Sequence, residues 1–123
     1  MAGVSPQVPV PPPSEQMASA LSTISAQARQ TNVVRARDLR TALVRARTGE
    51  LDAAGRAAAQ QTAHQLAGSA GTFGYAGVSE LARSLEQLLA GADVSVAAPA
   101  LLQQGDALLD QVLDQLAREP EVD

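Results

Sequence analysis

The sequence predicts an all-α fold, an antiparallel up-and-down four-helix bundle with an additional N-terminal helix. The chain is rich in alanine, leucine, glutamine and arginine, which all favour helices. Its apolar residues recur at steps of three and four, and its β-branched residues form no alternating runs. With 123 residues, the chain has the size of one domain around a single core.

The two ends of the chain are expected to lie outside this domain. Residues 1–13 contain most of the prolines and show no apolar periodicity, which predicts a flexible tail. A ligand in the polyproline II conformation is the alternative interpretation. The helical domain is then expected over residues 14–119, followed by a short tail at residues 120–123.

The first two predicted helices meet near Thr31 and Asn32, which are candidate caps. The first helix starts after Ser14, and its apolar stripe is Met17, Leu21, Ile24 and Ala28. The second helix ends at Thr48-Gly49 and carries Leu39, Leu43 and Ala46. It also holds five of the six arginines between residues 29 and 47, so we interpret its outer face either as a surface that steers an acidic partner or as a solvated flank.

Three more helices are predicted after Gly49. Asp52 is a candidate cap for a helix that runs to about Thr72, and Gly74 and Gly77 mark the next turn. The following helix ends near Gly91, and its apolar positions are Val78, Leu81, Leu85 and Leu88. The last helix is capped by Ser95, tolerates Pro99 in its first turn, and carries Leu102, Leu109, Val112, Leu113 and Leu116.

Composition excludes several functional classes. The absence of cysteine rules out disulfides and thiolate metal sites and fits a reducing compartment. No run of apolar residues is long enough to span a membrane, and no secretion signal is evident. The net charge of −4 and the scarcity of aromatic residues argue against nucleic-acid binding. We therefore expect a cytoplasmic protein that binds neither nucleic acids nor membranes.

The only histidine in the chain, His64, lies within the stretch AHQLAGSAGTFG at residues 63–74. On a helical wheel Leu66 and Ala70 fall on the side away from His64, whereas Gly68 and Gly71 lie within roughly 60° of it. His64 should therefore face solvent. Each glycine costs a helix about 1 kcal/mol relative to alanine. We interpret the two glycines as clearance for an approaching partner, the alternative being an inconsequential histidine near a frayed helix end.

A single exposed imidazole is compatible with few kinds of chemistry. A metal site needs several converging ligands, and a Ser-His-Asp hydrolase needs a concave site with an oxyanion hole. A neutral imidazole is nucleophilic, so it suits covalent group transfer, most often of a phosphoryl group.

The stretch HQLAGSAGTFG, followed by Leu81, Leu85-Glu86 and Leu88-Leu89, resembles the histidine phosphotransfer (HPt) domain family, which includes domains of hybrid and chemotaxis histidine kinases. The resemblance covers residues 58–90. It implies a four-helix bundle that carries a phosphoryl group to or from the aspartate of a receiver domain, or accepts one from a histidine kinase. Such a phosphocarrier has no turnover of its own. It needs no cofactor, because Mg²⁺ is expected in the acidic pocket of the receiver.

The resemblance also implies roles for individual residues. His64 is the phosphoryl acceptor, and Glu86 holds the proton on its Nδ1 atom so that Nε2 is the nucleophile. Gly68 corresponds to the small residue that lets a receiver dock. The expected docking surface consists of Gln60, Gln61, Gln65, Ala67, Gly68 and Gly71.

One position departs from the family pattern. The family usually has lysine three residues after the histidine, where this chain has Ala67, and the chain contains no lysine. Arg83, three residues before Glu86, is the first candidate for the missing cation, and Arg56 is the second. Arg83 as an ordinary solvated arginine is the alternative.

Two other functions remain compatible with the sequence. One is a helical adaptor that binds a receiver or kinase domain without transferring phosphate, and the reason to consider it is alanine in place of lysine at position 67. The second alternative is a structural bundle that oligomerises through the leucine stripe of its last helix. The partner and the direction of phosphate flow are left open by the sequence.

Overall fold

The structure, a computed structural model, describes residues 13–91, 99–118 and 120. Over these residues it contains α-helices and no strands: α1 (Pro13–Arg47), α2 (Ala53–Thr72), α3 (Ala76–Gly91) and α4 (Pro99–Leu116). The predicted all-α bundle is confirmed. The predicted tail up to residue 12, the proposed Ser95 cap and the last three residues lie outside the described residues.

Each helix of the bundle packs against two neighbours: α1 and α3 each contact both α2 and α4. Along two pairs of neighbouring helices, the contacting residues rise in number on one helix and fall in number on the other. The pairs that show this are Arg40 with Asp110 and Arg47 with Asp106 for α1 and α4, and His64 with Glu86 and Ala67 with Ser79 for α2 and α3. These helices are therefore antiparallel, as predicted.

The two N-terminal helices predicted from the sequence form one continuous helix, α1, of 35 residues. The candidate caps at its centre have other roles. The Thr31 hydroxyl donates to the Gln27 carbonyl within the helix (3.0 Å), and Asn32 is fully buried. The Asn32 side chain donates to the Ser69 hydroxyl of α2 (3.1 Å) and accepts from Arg35 (2.9 Å). With neither glycine nor proline between residues 14 and 48, nothing ends the helix there.

The N-terminal part of α1 is less covered than the rest of the bundle. The 35 residues of α1 span about 52 Å, whereas the 20 residues of α2 span about 30 Å. The predicted stripe formed by Met17, Leu21 and Ile24 is 64%, 53% and 47% exposed. Only its continuation, from Asn32 through Ala36 and Leu39, enters the core.

The helix ends follow the predicted signals at Gly49, Asp52 and Gly74, but not at Ser14 or Gly77. Because α1 begins at Pro13, Ser14 lies in its first turn and is not its N-cap. Gly49 (φ 73°) and Gly74 (φ 88°) adopt the left-handed conformation that glycine favours at helix C-termini. The Asp52 carboxylate caps α2 by accepting from the Gly55 amide (2.7 Å). Gly77, predicted to lie in the turn, instead belongs to the first turn of α3, where Gln115 of α4 packs against it.

The core consists almost entirely of leucine, valine and alanine. The largest fully buried apolar side chains are Leu39, Leu43, Leu66, Val78, Leu85, Leu89, Leu109, Val112 and Leu116. The apolar stripe of α4 is thus used within the bundle, with Leu102 also buried, so it does not provide the exposed oligomerisation surface considered above. None of the described helices combines the length and apolar character that crossing a membrane requires.

Leucine truncations test this division between core and surface. We expect Leu66→Ala, at a fully buried position, to lower the free energy of unfolding by about 2 to 5 kcal/mol through lost burial and a cavity. Leu21→Ala, at a position 53% exposed, should change it by less than about 0.5 kcal/mol. Urea denaturation measures both, and equal losses would contradict the assignment of Leu66 to the core.

Candidate functional site

His64 lies near the middle of α2 with 69% of its side chain exposed. Leu66 and Ala70, predicted to lie on the side away from it, are fully buried in the core. The position of His64 thus follows from helical geometry: the apolar residues of α2 turn inward and carry the imidazole to the opposite face. The predicted exposure of His64 is confirmed.

Glu86 of α3 contacts the imidazole from one side. Its carboxylate oxygens lie 3.0 and 3.3 Å from His64 Nδ1. A carboxylate can only accept a hydrogen bond, so this contact favours the tautomer in which Nδ1 carries the proton. The Nε2 atom of a neutral imidazole then keeps its lone pair. The Glu86 side chain is 31% exposed, less than its partner, because it emerges from the α2–α3 interface.

A shallow groove of about 260 Å³ runs beside the imidazole between α2 and α3. It is lined by His64, Ala67, Gly68, Arg83, Glu86 and Gln87. Five of these residues were predicted from the sequence, whereas Gln87 was not. Its signal was its place next to Glu86 and one helical turn after Arg83, although many solvated glutamines share such a position.

The two glycines near His64 have different surroundings. A Cβ atom added at Gly68 would have no neighbouring atom within 4 Å. No contact within the described protein therefore requires glycine there. A Cβ at Gly71, in contrast, would lie 3.3 Å from the Ser79 hydroxyl oxygen. The interpretation as clearance for a partner is consistent with Gly68. Gly71 is also exposed, and glycine there additionally leaves room for the Ser79 side chain of α3.

The predicted docking surface is exposed in part. Gln61, Gln65, Gly68 and Gly71 are exposed, and Gln60 is half-buried. Ala67 was expected on this surface but is only 4% exposed. Three residues after His64, it is rotated by about 60° toward α3 and belongs to the core. Ala67 can therefore line the edge of the groove but offers little surface to a partner.

The two candidate cations differ in position. Arg83 is exposed and lines the groove beside His64. Arg56 precedes His64 by eight residues on the same helix, which corresponds to about 12 Å along its axis, and it is not among the groove residues. The structure thus brings the first candidate to the site and not the second.

Three of the six arginines of α1 bind other groups of this chain. Arg40 pairs with Asp110 (2.6 Å), Arg47 pairs with Asp106, and Arg35 donates to the Asn32 side chain (2.9 Å). The cationic face predicted for this helix is therefore partly neutralised by contacts within the bundle.

In the part of the chain that the structure describes, no group of three or more histidine, aspartate or glutamate side chains is arranged to hold a metal ion.

Comparison with known proteins identifies the family. A family model described as Hpt domain matches residues 15–119, which include all four helices from their first turns onward and the His64–Glu86 pair. The chain belongs to the Hpt domain family. Searches of curated proteins and of solved structures found no significant match. Hpt domains are helical phosphocarriers of two-component signalling and interact with its kinases and receivers.

Proposed function

We propose that this Hpt domain is an intermediate of a phosphorelay that carries a phosphoryl group on His64 to or from the aspartate of a receiver domain. The observation that carries the proposal is the exposed imidazole whose Nδ1 atom faces the Glu86 carboxylate at 3.0 Å. Glycine at position 68 leaves open space on the same face. A nucleophilic nitrogen is thus presented where another protein can reach it.

The transfer step needs little chemistry from the bundle. Nε2 of His64 attacks the phosphorus atom of a receiver aspartyl phosphate. The new N–P bond forms as the P–O bond to the aspartate breaks, and the carboxylate leaves with the bonding electrons. The proton on Nδ1 stays between His64 and Glu86. Such reactions depend mainly on in-line positioning and on neutralisation of charge, and Mg²⁺ in the receiver supplies part of the latter.

Arg83 is the residue of the groove that can neutralise charge on the Hpt side. A phosphoryl group carries nearly two negative charges at neutral pH, and a guanidinium binds such oxygens with charge-assisted hydrogen bonds. The other polar groups beside His64 are glutamines and the Glu86 carboxylate. We assign to Arg83 the role that lysine at position 67 has in other members of the family.

The rest of the docking surface is uncharged. Gln61, Gln65 and Gly68 lie on the exposed side of α2, and none of them carries a charge that would steer a receiver electrostatically. Recognition would then depend on shape and on hydrogen bonds to the glutamine amides. This supports close contact between α2 and the receiver, since Gly68 lets a partner's surface approach the backbone of the helix.

Transfer of labelled phosphate tests the function. We expect label to move from phosphorylated receivers to the wild-type chain in the presence of Mg²⁺, and the product to be acid-labile. His64→Gln should accept no label, because its amide is not a nucleophile at phosphorus. Binding to a receiver without labelling, across a panel of receivers, would instead favour the adaptor function.

Two substitutions at position 68 separate clearance from folding. We expect Gly68→Ala to transfer phosphate at close to the wild-type rate, because its Cβ meets nothing within 4 Å. Gly68→Gln should slow transfer at least tenfold, because its longer side chain occupies the space that the receiver needs. Circular dichroism checks that both variants remain helical. Equal transfer rates for the two variants would show that clearance at Gly68 is irrelevant.

Replacement of Arg83 tests charge neutralisation in the groove. We expect Arg83→Ala to slow transfer or to shorten the lifetime of the phosphohistidine, since the groove loses its cation. Arg37→Ala, which removes an exposed arginine of α1, is the matched control and should change neither quantity. If the two variants show the same rates and lifetimes, Arg83 is an ordinary surface arginine.

A further inference from the structure

A buried hydrogen bond joins α3 to the backbone of α2. The Ser79 hydroxyl donates to the carbonyl oxygen of Ala67 at 2.8 Å, and Ser79 is only 4% exposed. Ala67 lies one turn after His64 in α2. The contact thus connects a buried side chain of α3 with the turn of α2 that follows the functional histidine.

Gly71 leaves room for this contact. A Cβ atom at position 71 would lie 3.3 Å from the Ser79 Oγ atom and 3.7 Å from its Cβ atom. The first distance is tight enough that the Ser79 hydroxyl would have to move by a few tenths of an ångström. Glycine therefore lets α3 approach α2 closely at this point. The helix accepts a residue with poor helical propensity where the neighbouring helix needs the space.

The Gly71–Ser79 contact and the His64–Glu86 pair share one register. Gly71 follows His64 by seven residues, and Ser79 precedes Glu86 by seven residues. Seven residues make almost two helical turns, about 10.5 Å along the axis, so both contacts fall on the same faces of the two antiparallel helices. Sliding α3 by one residue would move Glu86 by about 1.5 Å along the axis and break its 3.0 Å contact with His64.

The His64–Glu86 pair cannot set this register by itself. Its two side chains are 69% and 31% exposed, and exposed polar contacts of this kind contribute little to the stability of a protein. The Ser79 bond is buried and directional. It also involves the backbone of α2, which moves only with the whole helix.

We propose that Ser79, admitted by Gly71, is a positioning residue: it fixes α3 against α2 so that Glu86 holds the proton on His64 Nδ1 and leaves the Nε2 lone pair free. The consequence for phosphoryl transfer rests on the proposed function, whereas the effect on the histidine tautomer does not. Loss of the Ser79 bond lets α3 move, weakens the Glu86 contact and releases the proton to either nitrogen.

The tautomer of His64 can be measured directly by NMR on the full chain labelled with ¹⁵N, because His64 is its only histidine. In mildly alkaline buffer the shifts of the two ring nitrogens report which one is protonated. We expect the wild-type protein to hold the proton mainly on Nδ1. In Ser79→Ala the ratio of the Nδ1–H to the Nε2–H form should fall several-fold, toward the ratio found in Glu86→Ala.

A matched control is available on the same helix. The Ser84 hydroxyl donates to the carbonyl of Glu80 within α3 (3.2 Å), so Ser84→Ala removes a hydroxyl without affecting the α2–α3 interface and should keep the wild-type ratio. Ser79→Thr retains the donor and should restore it. A wild-type ratio in Ser79→Ala, or in Glu86→Ala, would overturn the proposal.

Position 71 provides a second test if Ser79→Ala does not fold. Gly71→Ala keeps the Ser79 hydroxyl but places a Cβ atom against it, whereas Gly68→Ala adds the same atom in open space. We expect the tautomer ratio to fall in Gly71→Ala only, and equal ratios in the two variants would overturn the proposal. These measurements use the unphosphorylated protein, so failure of phosphoryl transfer in the wild type leaves their outcome unaffected.

Discussion

The contact between His64 Nδ1 and the Glu86 carboxylate is the constraint on which the candidate site depends. It joins two helices at 3.0 Å and favours the tautomer in which Nδ1 is protonated and Nε2 keeps its lone pair. An exposed imidazole without such a partner distributes its proton between both nitrogens and rotates freely about its side-chain bonds. The bundle supplies what the imidazole alone lacks: a fixed acceptor on a neighbouring helix, and a backbone rigid enough to keep that acceptor in place.

Small residues on α2 allow the two helices to hold this geometry. Ala63, Ala67 and Ala70 are all buried, so α3 packs against a surface with few side-chain atoms. Gly71 leaves room for Ser79 to reach the Ala67 carbonyl of α2. Gly68 places no side chain on the exposed side of the same helix. A helix with bulkier residues at these positions would hold α3 farther away, beyond the reach of the Glu86 side chain. The alanine-rich composition of α2 thus serves the site as well as the core.

The sequence predicted much of this structure, and its failures share a physical cause. Periodicity placed Leu66 and Ala70 in the core and His64 on the surface, because helical geometry alone determines those orientations. Thr31 and Asn32 were misread as caps because a polar side chain that bonds within a helix or across to another has the same local signal as one that caps. Ala67 was placed on the docking surface because it lies at the edge of the exposed face, where only the packing of α3 decides burial. Ser79 and Gln87 went unnoticed because the sequence does not reveal which polar residues of α3 face α2.

The register that pairs His64 with Glu86 also explains how the site can have a cation although position 67 is alanine and not lysine. Arg83 stands opposite Ala67 in that register, three residues before Glu86 just as Ala67 is three residues after His64. A cation rooted at position 83 on α3 therefore reaches the same groove as one rooted at position 67 on α2, from the opposite wall. Ala67 is only 4% exposed, so the α2 side of the groove has no long side chain at this position. Charge at the site depends on which side chains enter the groove, and either helix can provide them.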